Sequence, residues 1–224
     1  MDGDTLNIDD FIRESIRRNE EEVRQLMMKK KQERISEILS KSGLGRRFQK
    51  RTFENFKVTN ENKEQYKQAK EFVEHFPKSK GLLITGPVGT GKTHLAAAIA
   101  NELIKKLYTV MFGNITDIIT LVKSTYSKHS EETELRVIQA LTREVDLLVI
   151  DDLGKEYATE NTRAILYQII NRLNEDERPA IITTNYNSKN LKSKLGERGE
   201  AIVSRITEMT EPVIMTGQDW RLKP

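Results

Sequence analysis

Five short apolar runs recur along residues 81–216, and each has the length and the Val, Ile and Thr content of a buried strand. They are, in chain order, GLLIT (81–85), YTVMFG (108–113), DLLVI (146–150), AIITT (180–184) and PVIMT (212–216). Segments with helical spacing, such as THLAAAIANELIKKL and TRAILYQIINRL, separate them. Alternation of strand and helix is typical of a parallel sheet with both faces covered. The pattern therefore predicts an α/β fold whose five-stranded, mainly parallel sheet is flanked by helices.

The first 45 residues follow a different pattern, and we expect them to form a helical extension to a globular domain over residues 46–224. Apolar residues are sparse there and lie close to one helical stripe. The stripe consists of Ile12, Ile16, Val23, Met27, Ile35 and Leu39. Residues 1–22 are mainly acidic, whereas residues 29–51 carry nine basic side chains. Two interpretations stay open, a solvated tail and a helix whose stripe docks on a partner protein.

Composition narrows the class of protein. The 224 residues suit one domain with an appendage, and 37% hydrophobic residues are enough for one core. A net charge of +3 gives no global argument for nucleic-acid binding. The absence of cysteine excludes disulfides and thiolate zinc sites. The acidic start of the chain is unlike a signal peptide, and no apolar run approaches membrane-spanning length. We expect a cytoplasmic protein that does not contact membranes.

A phosphate-binding loop is the most specific motif in the chain. The segment GPVGTGKT matches the pattern G-x-x-x-x-G-K-[ST] in full, with a predicted strand before it and a predicted helix after it. Backbone N–H groups of such a loop, with the start of the helix, form a cradle for phosphates. We expect Lys92 to reach the β- and γ-phosphates and the Thr93 hydroxyl to bind Mg²⁺. The nucleotide-binding residues are predicted to be Gly86, Pro87, Val88, Gly89, Thr90, Gly91, Lys92 and Thr93.

Polar side chains end two of the predicted strands. Asp151 and Asp152 follow DLLVI, at the strand end where ligands bind in open α/β sheets. Asp151 is the natural partner of the Mg²⁺ that Thr93 holds, and Asp152 would orient or deprotonate the attacking water. Asn185 ends IITTN and could bond that water or the γ-phosphate. Taken alone, the Asp pair could equally be a strand-ending turn, and an ordinary turn residue is the better interpretation of Asn185.

These motifs, in this order, resemble the core of an AAA+ P-loop ATPase. More narrowly, several segments resemble the DnaC/DnaI-type replicative helicase loaders, and the related IstB-type transposition helper ATPases share much of the pattern. The segments are TFENF (52–56), GTGKTHLAAAIANEL (89–103), LLVIDDLG (147–154), TTN (183–185) and LGER…SRI (195–206). The resemblance covers roughly residues 46–221, and it is specific as a set, whereas the phosphate loop alone is not.

The resemblance implies roles that the spacing does not. It makes Asn185 the sensor-1 residue and Arg205 the arginine finger that reaches a neighbouring subunit's γ-phosphate, with Arg198 a weaker candidate. Arg221 matches a C-terminal arginine of the family. TFENF is implied to lie near the adenine. The residues alone would make both candidate finger arginines solvated helix-surface charges.

The resemblance implies an ATPase that loads a DnaB-type replicative helicase onto single-stranded DNA during replication initiation, with ATP-dependent self-association. Hydrolysis is expected to be slow, because Asp152 is shorter than the Glu that some family members carry. The alternatives are an IstB-type helper of DNA transposition and a nucleotide-binding interaction protein that does not hydrolyse ATP.

Two further groups of residues have weaker signals. Lys123, Lys128 and the basic run at 29–51 could contact DNA phosphates. Phe48, Phe53 and Phe56 fit the core and a base-stacking surface equally well. His94 follows the phosphate loop without an evident second partner, and we interpret it as structural.

Overall fold

A single parallel sheet forms the centre of the protein. The computed structural model describes residues 8–40, 48–127, 132–154, 159–217 and 219–220. The strands are β1 (Gly81–Thr85), β2 (Val110–Asn114), β3 (Leu147–Leu153), β4 (Ala180–Thr184) and β5 (Thr210–Ile214). Their spatial order is β2-β3-β4-β1-β5, and all neighbouring pairs are parallel. The predicted α/β fold is confirmed.

Helices connect the strands and cover the sheet. They are α1 (Ile8–Ser40), α2 (Lys63–His75), α3 (Lys92–Lys105), α4 (Ile115–Ser124), α5 (Glu134–Gln139), α6 (Glu160–Glu175), α7 (Ser188–Leu195) and α8 (Gly199–Met209). A π-helical turn (Ala140–Glu144) extends α5, and a 3-10 turn (Gly196–Arg198) joins α7 to α8. Short polar side chains start several helices, for example Thr159, whose hydroxyl accepts the Thr162 N–H at the start of α6.

Alternating side chains of each strand bury on opposite faces of the sheet, as strand geometry requires. In β3, Leu147 and Val149 pack in a cluster with α2 and α3. Leu148 and Ile150 pack in a second cluster that includes α4 to α8. All four side chains are fully buried. The sheet therefore lies between two layers of helices, and the ends of its strands can carry a binding site.

Strand boundaries agree with the sequence in β1 and β4 and differ elsewhere. Because β3 pairs with β2 and β4, its ladder continues to Leu153, so Asp151 and Asp152 lie within the strand and not after it. The run predicted at 212–216 starts two residues earlier in the structure. It forms an edge strand, in which only Thr210 and Val213 are buried, so apolar content is a poor guide to its bounds.

The N-terminal extension is one helix of 33 residues, α1. Its stripe residues Ile12, Ile16, Val23 and Met27 are 48–67% exposed; the side chains of Ile35 and Leu39 lie outside the described residues. Lys31 Nζ lies 3.5 Å from Asp146 Oδ1, just before β3. This contact is at the amino end of the strands, opposite the phosphate loop. Within the described ranges, no helix is long and apolar enough to cross a membrane.

Candidate nucleotide site

The phosphate loop connects β1 to α3 and contains glycines in conformations that other residues rarely adopt. Gly86 and Gly91 have φ values of 145° and 97°. A Cβ at Gly86 would lie 2.2 Å from the Met215 carbonyl oxygen, so no side chain fits there. Gly91 precedes α3, whose first turn receives no side-chain cap. The first N–H groups of α3 and its positive dipole end are therefore available to an anion.

Lys92 lies against this loop and not in the apolar core. Its Nζ donates to the carbonyl oxygens of Gly86 and Pro87, at 2.8 and 2.7 Å. The side chain is only 6% exposed. The Thr90 hydroxyl also donates to Pro87 O, at 2.9 Å, which braces the loop from inside. A cation is thus held at the cradle where phosphate charge would need it.

Three elements meet at the carboxylate of Asp151. Its Oδ1 accepts a hydrogen bond from Thr93 Oγ1 on α3 at 2.9 Å and another from Thr183 Oγ1 on β4 at 2.6 Å. The sequence predicted the pairing of Thr93 with Asp151 as Mg²⁺ ligands, and the structure brings these two residues together. A hydroxyl and a carboxylate oxygen are suitable donors for Mg²⁺.

The electrostatics of Asp151 also suit a cation. Burial raises the pKa of this carboxyl, while the bond from Thr183 and then that from Thr93 oppose the rise, and the charge of Asp152 adds to it. The side chain is 3% exposed. No group of three or more acidic, His or Cys side chains able to hold a metal occurs in the described part of the chain. Mg²⁺ held here would complete its shell with phosphate oxygens and water, as it commonly does.

Replacing Asp151 with Asn should separate nucleotide binding from turnover. We expect Asp151→Asn to retain ATP, because Lys92 and the loop amides remain, and to lose Mg²⁺-dependent hydrolysis by about a hundredfold or more. Radiolabelled ATP binding and phosphate release measure the two quantities. Undiminished hydrolysis would contradict the metal assignment.

The same variant should raise the stability of the nucleotide-free protein. Because the folded-state pKa of Asp151 is raised, the unfolded carboxyl ionises more easily, so this residue lowers the free energy of unfolding as pH rises through its titration range. The cost grows as pH rises from the ordinary carboxyl range towards the raised folded-state pKa. Asp151→Asn removes it, so the gain in the midpoint of thermal unfolding over the parent should be larger at neutral than at acidic pH.

Asp152 lies in an irregular part of β3 beside Asp151. The register to β4 shifts between Ile150 and Leu153, and Asp152 has a φ of 60°. Such bulges commonly re-aim a side chain next to an active site. The Asp152 N–H donates to Thr183 Oγ1 at 2.9 Å. The Thr183 hydroxyl therefore holds both acidic residues, because it donates to the Asp151 carboxylate and accepts from the Asp152 backbone N–H.

Sequence reasoning gave Thr183 no role of its own. A hydroxyl within the apolar run AIITT was the available signal, but Thr is also common in strands. We expect Thr183→Val, which keeps the shape and removes the hydroxyl, to lower kcat for ATP about tenfold with little change in nucleotide affinity. Thr184→Val is the matched control, because the Thr184 hydroxyl is equally buried and bonds the Leu153 carbonyl instead. Equal kcat values for the two variants would contradict the role.

Asn185 directly follows β4, at the same edge of the sheet as the phosphate loop. β4 lies between β3 and β1 and pairs with both. Asn185 is half-buried. It therefore lies near the ends of the strands that carry Asp151 and Gly86, as the sequence predicted, and its role as a sensor stays a prediction.

The TFENF segment packs beside the loop. A Cβ at Gly91 would lie 3.3 Å from the Phe56 ring. His94 Nε2 lies 3.1 Å from Thr52 O and 2.8 Å from Asn55 Oδ1, which ties α3 to this segment. Burial lowers the pKa of His94. These contacts agree with a structural histidine.

Of the three aromatic candidates for DNA stacking, Phe53 and Phe56 belong to the buried core and Phe48 packs against it. Phe53 and Phe56 are 4% and 8% exposed, and Phe48 packs on Phe112 with ring centroids 4.0 Å apart. Of the basic candidates, Lys123 donates to the Thr162 hydroxyl at 3.0 Å. Lys128 lies outside the described residues.

The two candidate finger arginines lie near the same aromatic ring, that of Tyr167 on α6. Arg205 Nε donates to Asn171 Oδ1 at 2.6 Å. The Arg205 guanidinium lies 4.9 Å and that of Arg198 5.7 Å from the centre of the Tyr167 ring. Arg221, the third arginine of interest, lies outside the described residues.

The chain beyond β5 returns to the phosphate loop, a contact that the sequence did not predict. The Trp220 N–H donates to Gly89 O at 3.0 Å. The Asp219 carboxylate lies so close to Gly89 that a Cβ there would be 1.8 Å from its Oδ1. Lys57 Nζ lies 5.1 Å from the centre of the Trp220 ring. This segment therefore forms one wall of the candidate site.

The chain is similar in sequence and in fold to known proteins. The replicative helicase loader DnaC of Buchnera aphidicola subsp. Baizongia pistaciae is 33% identical over 175 residues, which are 77% of this chain and 71% of that protein. The crystal structure of the DnaC helicase loader superposes with a TM-score of 0.67 and 28% identity, covering 77% of this chain and 100% of that one. AMPPCP-bound DnaA from Aquifex aeolicus superposes with a TM-score of 0.63 and 29% identity, covering 74% of this chain and 50% of that one.

The fold is accordingly that of the P-loop AAA+ proteins among which DnaC and DnaA are found. A family model described as IstB-like ATP binding protein matches residues 13–224. Since this match spans nearly the whole chain, the protein belongs to the IstB-like ATP-binding protein family and is of the DnaC type within it.

Proposed function

We propose that the protein is an ATP-dependent loader that delivers a DnaB-type replicative helicase onto single-stranded DNA during replication initiation. The hydrogen bond between Thr93 and Asp151 beside the phosphate loop is the observation that best supports binding of ATP with Mg²⁺. The loader part rests on the likeness to DnaC in sequence and in fold. A DnaA structure bound to AMPPCP and single-stranded DNA, 29% identical, supports both ligand classes.

Each residue of the site has a chemical task in this proposal. Lys92 exchanges its two loop carbonyls for phosphate oxygens, and its charge offsets theirs. Thr93 and Asp151 hold Mg²⁺, which when bound neutralises charge that develops on the phosphates. Asp152 orients or deprotonates the attacking water, and Asn185 bonds that water or the γ-phosphate. Because Asp152 is a short acid, we expect hydrolysis to be slow, as suits a switch.

The exposed stripe of α1 is the proposed contact with the helicase. Its apolar side chains are largely uncovered in the single chain, and α1 meets the sheet at the end opposite the phosphate loop. An amphipathic helix with a solvent-exposed stripe is suited to a groove on another protein. This placement leaves the nucleotide site accessible while the helicase is bound.

Charged substitutions on the stripe should weaken binding to the helicase. We expect Val23→Asp combined with Met27→Asp to weaken binding at least tenfold, because two apolar side chains would no longer be buried on the partner. Gln25→Asp, on the opposite side of α1 and also exposed, is the matched control. A pull-down with the replicative helicase from the same source measures this. Equal capture by the stripe variant and the control would contradict the proposed contact.

A helper of DNA transposition is the second candidate, because the matching family model is described as IstB-like. The same purified chain can decide between the two. Preferential binding to a replicative helicase supports the loader, whereas binding to and stimulation of a transposase supports the helper. Absence of ATP turnover with and without single-stranded DNA would favour the third candidate, a nucleotide-binding interaction protein.

A further inference from the structure

Two residues of α6 hold the guanidinium of Arg205. Tyr167 and Asn171 are four positions apart and therefore lie on one face of α6, which packs against α8. Asn171 Oδ1 accepts from Arg205 Nε at 2.6 Å, and the Tyr167 ring lies under the guanidinium at 4.9 Å. We propose that Asn171 and Tyr167 are positioning residues that aim Arg205 at the nucleotide of a neighbouring subunit. This inference rests on the proposed ATPase function and on the trans-acting role that the family resemblance implies for Arg205.

The contacts restrain the inner part of the guanidinium and leave its outer end for a ligand. Asn171 Oδ1 accepts the hydrogen bond from Arg205 Nε, and the Ala201 carbonyl oxygen lies 3.4 Å from one terminal nitrogen of Arg205. Within the part of the chain that the structure describes, the second terminal nitrogen has no hydrogen bond. Arg can bind a phosphate through its terminal N–H groups. The side chain is thus restrained on its inner side, and its second terminal nitrogen is available to a phosphate of a neighbouring subunit.

Neutral partners distinguish Arg205 from Arg136 and Arg143, which are paired with carboxylates. Arg136 pairs with Glu144, and Arg143 pairs with Asp176. Such carboxylates offset the positive charge of their partners. Asn171 and Tyr167 instead fix Arg205 through a dipole and an aromatic face, and so its full charge is retained. A residue that must stabilise negative charge on a phosphate needs this arrangement, whereas a residue that only joins two helices does not.

Arg198 lies on the same ring, at 5.7 Å. Two guanidinium groups on one tyrosine repel each other, which is a cost that an anion between or beside them would relieve. Pre-positioning also matters for rate, because a catalytic group that is already oriented need not be ordered in the transition state. Tyr167 therefore supports both arginines, at a surface suited to the phosphate of a nucleotide that a second copy of this chain binds.

The test compares variants of the full-length protein in ATP turnover stimulated by a single-stranded oligothymidylate. We expect Asn171→Ala and Tyr167→Leu each to lower stimulated kcat on the order of tenfold, the effect of one lost bond to a charged group. Tyr167→Phe, which keeps the ring, should retain the parent kcat within about twofold. Gln168→Ala, exposed on the same helix, is the matched control. KM and nucleotide affinity should stay close to those of the parent.

A merely structural role is distinguished by two further measurements. In an Arg205→Ala background, Asn171→Ala should cause no additional loss, since the positioned group is already absent. Mixing Asn171→Ala with Lys92→Ala chains should restore part of the turnover, because the former supplies an intact phosphate loop and the latter an intact Arg205. Additive losses, or no restoration, would overturn the inference.

Failure of the inference and failure of the proposed function give different results. If Arg205→Ala loses stimulated turnover while Asn171→Ala and Tyr167→Leu keep it, the positioning role is wrong and the trans-acting arginine stands. If Arg205→Ala itself turns over ATP like the parent, the proposed trans-acting role is wrong, and the positioning role falls with it.

Discussion

Lys92→Ala is expected to abolish ATP binding at micromolar concentrations and to reduce hydrolysis to background. Lys92 is nine-tenths buried against the phosphate loop, where its ammonium donates to the carbonyl oxygens of Gly86 and Pro87. Loss of the charge-assisted bonds to phosphate should weaken nucleotide binding about a hundredfold or more. Isothermal titration calorimetry with ATP and Mg²⁺ measures the affinity directly.

The fold of this variant should persist. Because Lys92 donates to carbonyl oxygens of the phosphate loop, we expect circular dichroism to show a near-parent melting curve without it. Lys105→Ala is the matched control, since it lies at the exposed end of the same helix with surface partners only. Parent-like affinity and turnover in Lys92→Ala would show that the phosphate loop is not the nucleotide site.

Arg205→Ala is expected to leave ATP affinity near that of the parent and to lose stimulated hydrolysis by about a thousandfold. An arginine supplied from a neighbouring subunit neutralises charge in the transition state, and such residues are worth about 10³ or more in rate. Because the contact exists only between subunits, ATP-dependent self-association should weaken as well. Turnover at increasing protein concentration and analytical ultracentrifugation with ATP measure these two effects.

Mixing provides the decisive control for an arginine that acts in trans. Lys92→Ala chains supply Arg205, and Arg205→Ala chains supply an intact phosphate loop, so the mixture should hydrolyse ATP although neither variant does so alone. Parent-like turnover by Arg205→Ala would move the role to Arg198, which shares the Tyr167 ring. Parent-like turnover by both single variants would contradict a trans-acting switch.

Local pattern was sufficient to predict the fold class and the proximity of Thr93 to Asp151. Each strand is short, apolar and separated from the next by a helical segment, so the alternation alone indicates a covered parallel sheet. The phosphate loop has a fixed spacing because backbone geometry demands it. Asp151 could be paired with Thr93 from sequence, since the carboxyl ends of parallel strands gather at one edge.

The remaining contacts could not be predicted because they join distant segments through ordinary residues. Thr183 resembles any strand threonine until β4 is placed beside β3. Asn171 and Arg205 are 34 positions apart and meet only when α6 packs on α8. The contact of Trp220 with Gly89 depends on the path of the chain after β5. None of these pairs leaves a periodic signal, so tertiary packing decides them.

The proposed loader activity can be measured by loading a helicase onto closed circular single-stranded DNA. A circle has no end to thread, so a ring-shaped helicase needs a loader to engage it. The replicative helicase from the same source is incubated with the circle, ATP and this protein, and unwinding of an annealed oligonucleotide is followed. We expect rapid unwinding with the parent chain and little with Lys92→Ala or with the α1 stripe variant. Equal unwinding with and without the protein would contradict the proposed loader activity.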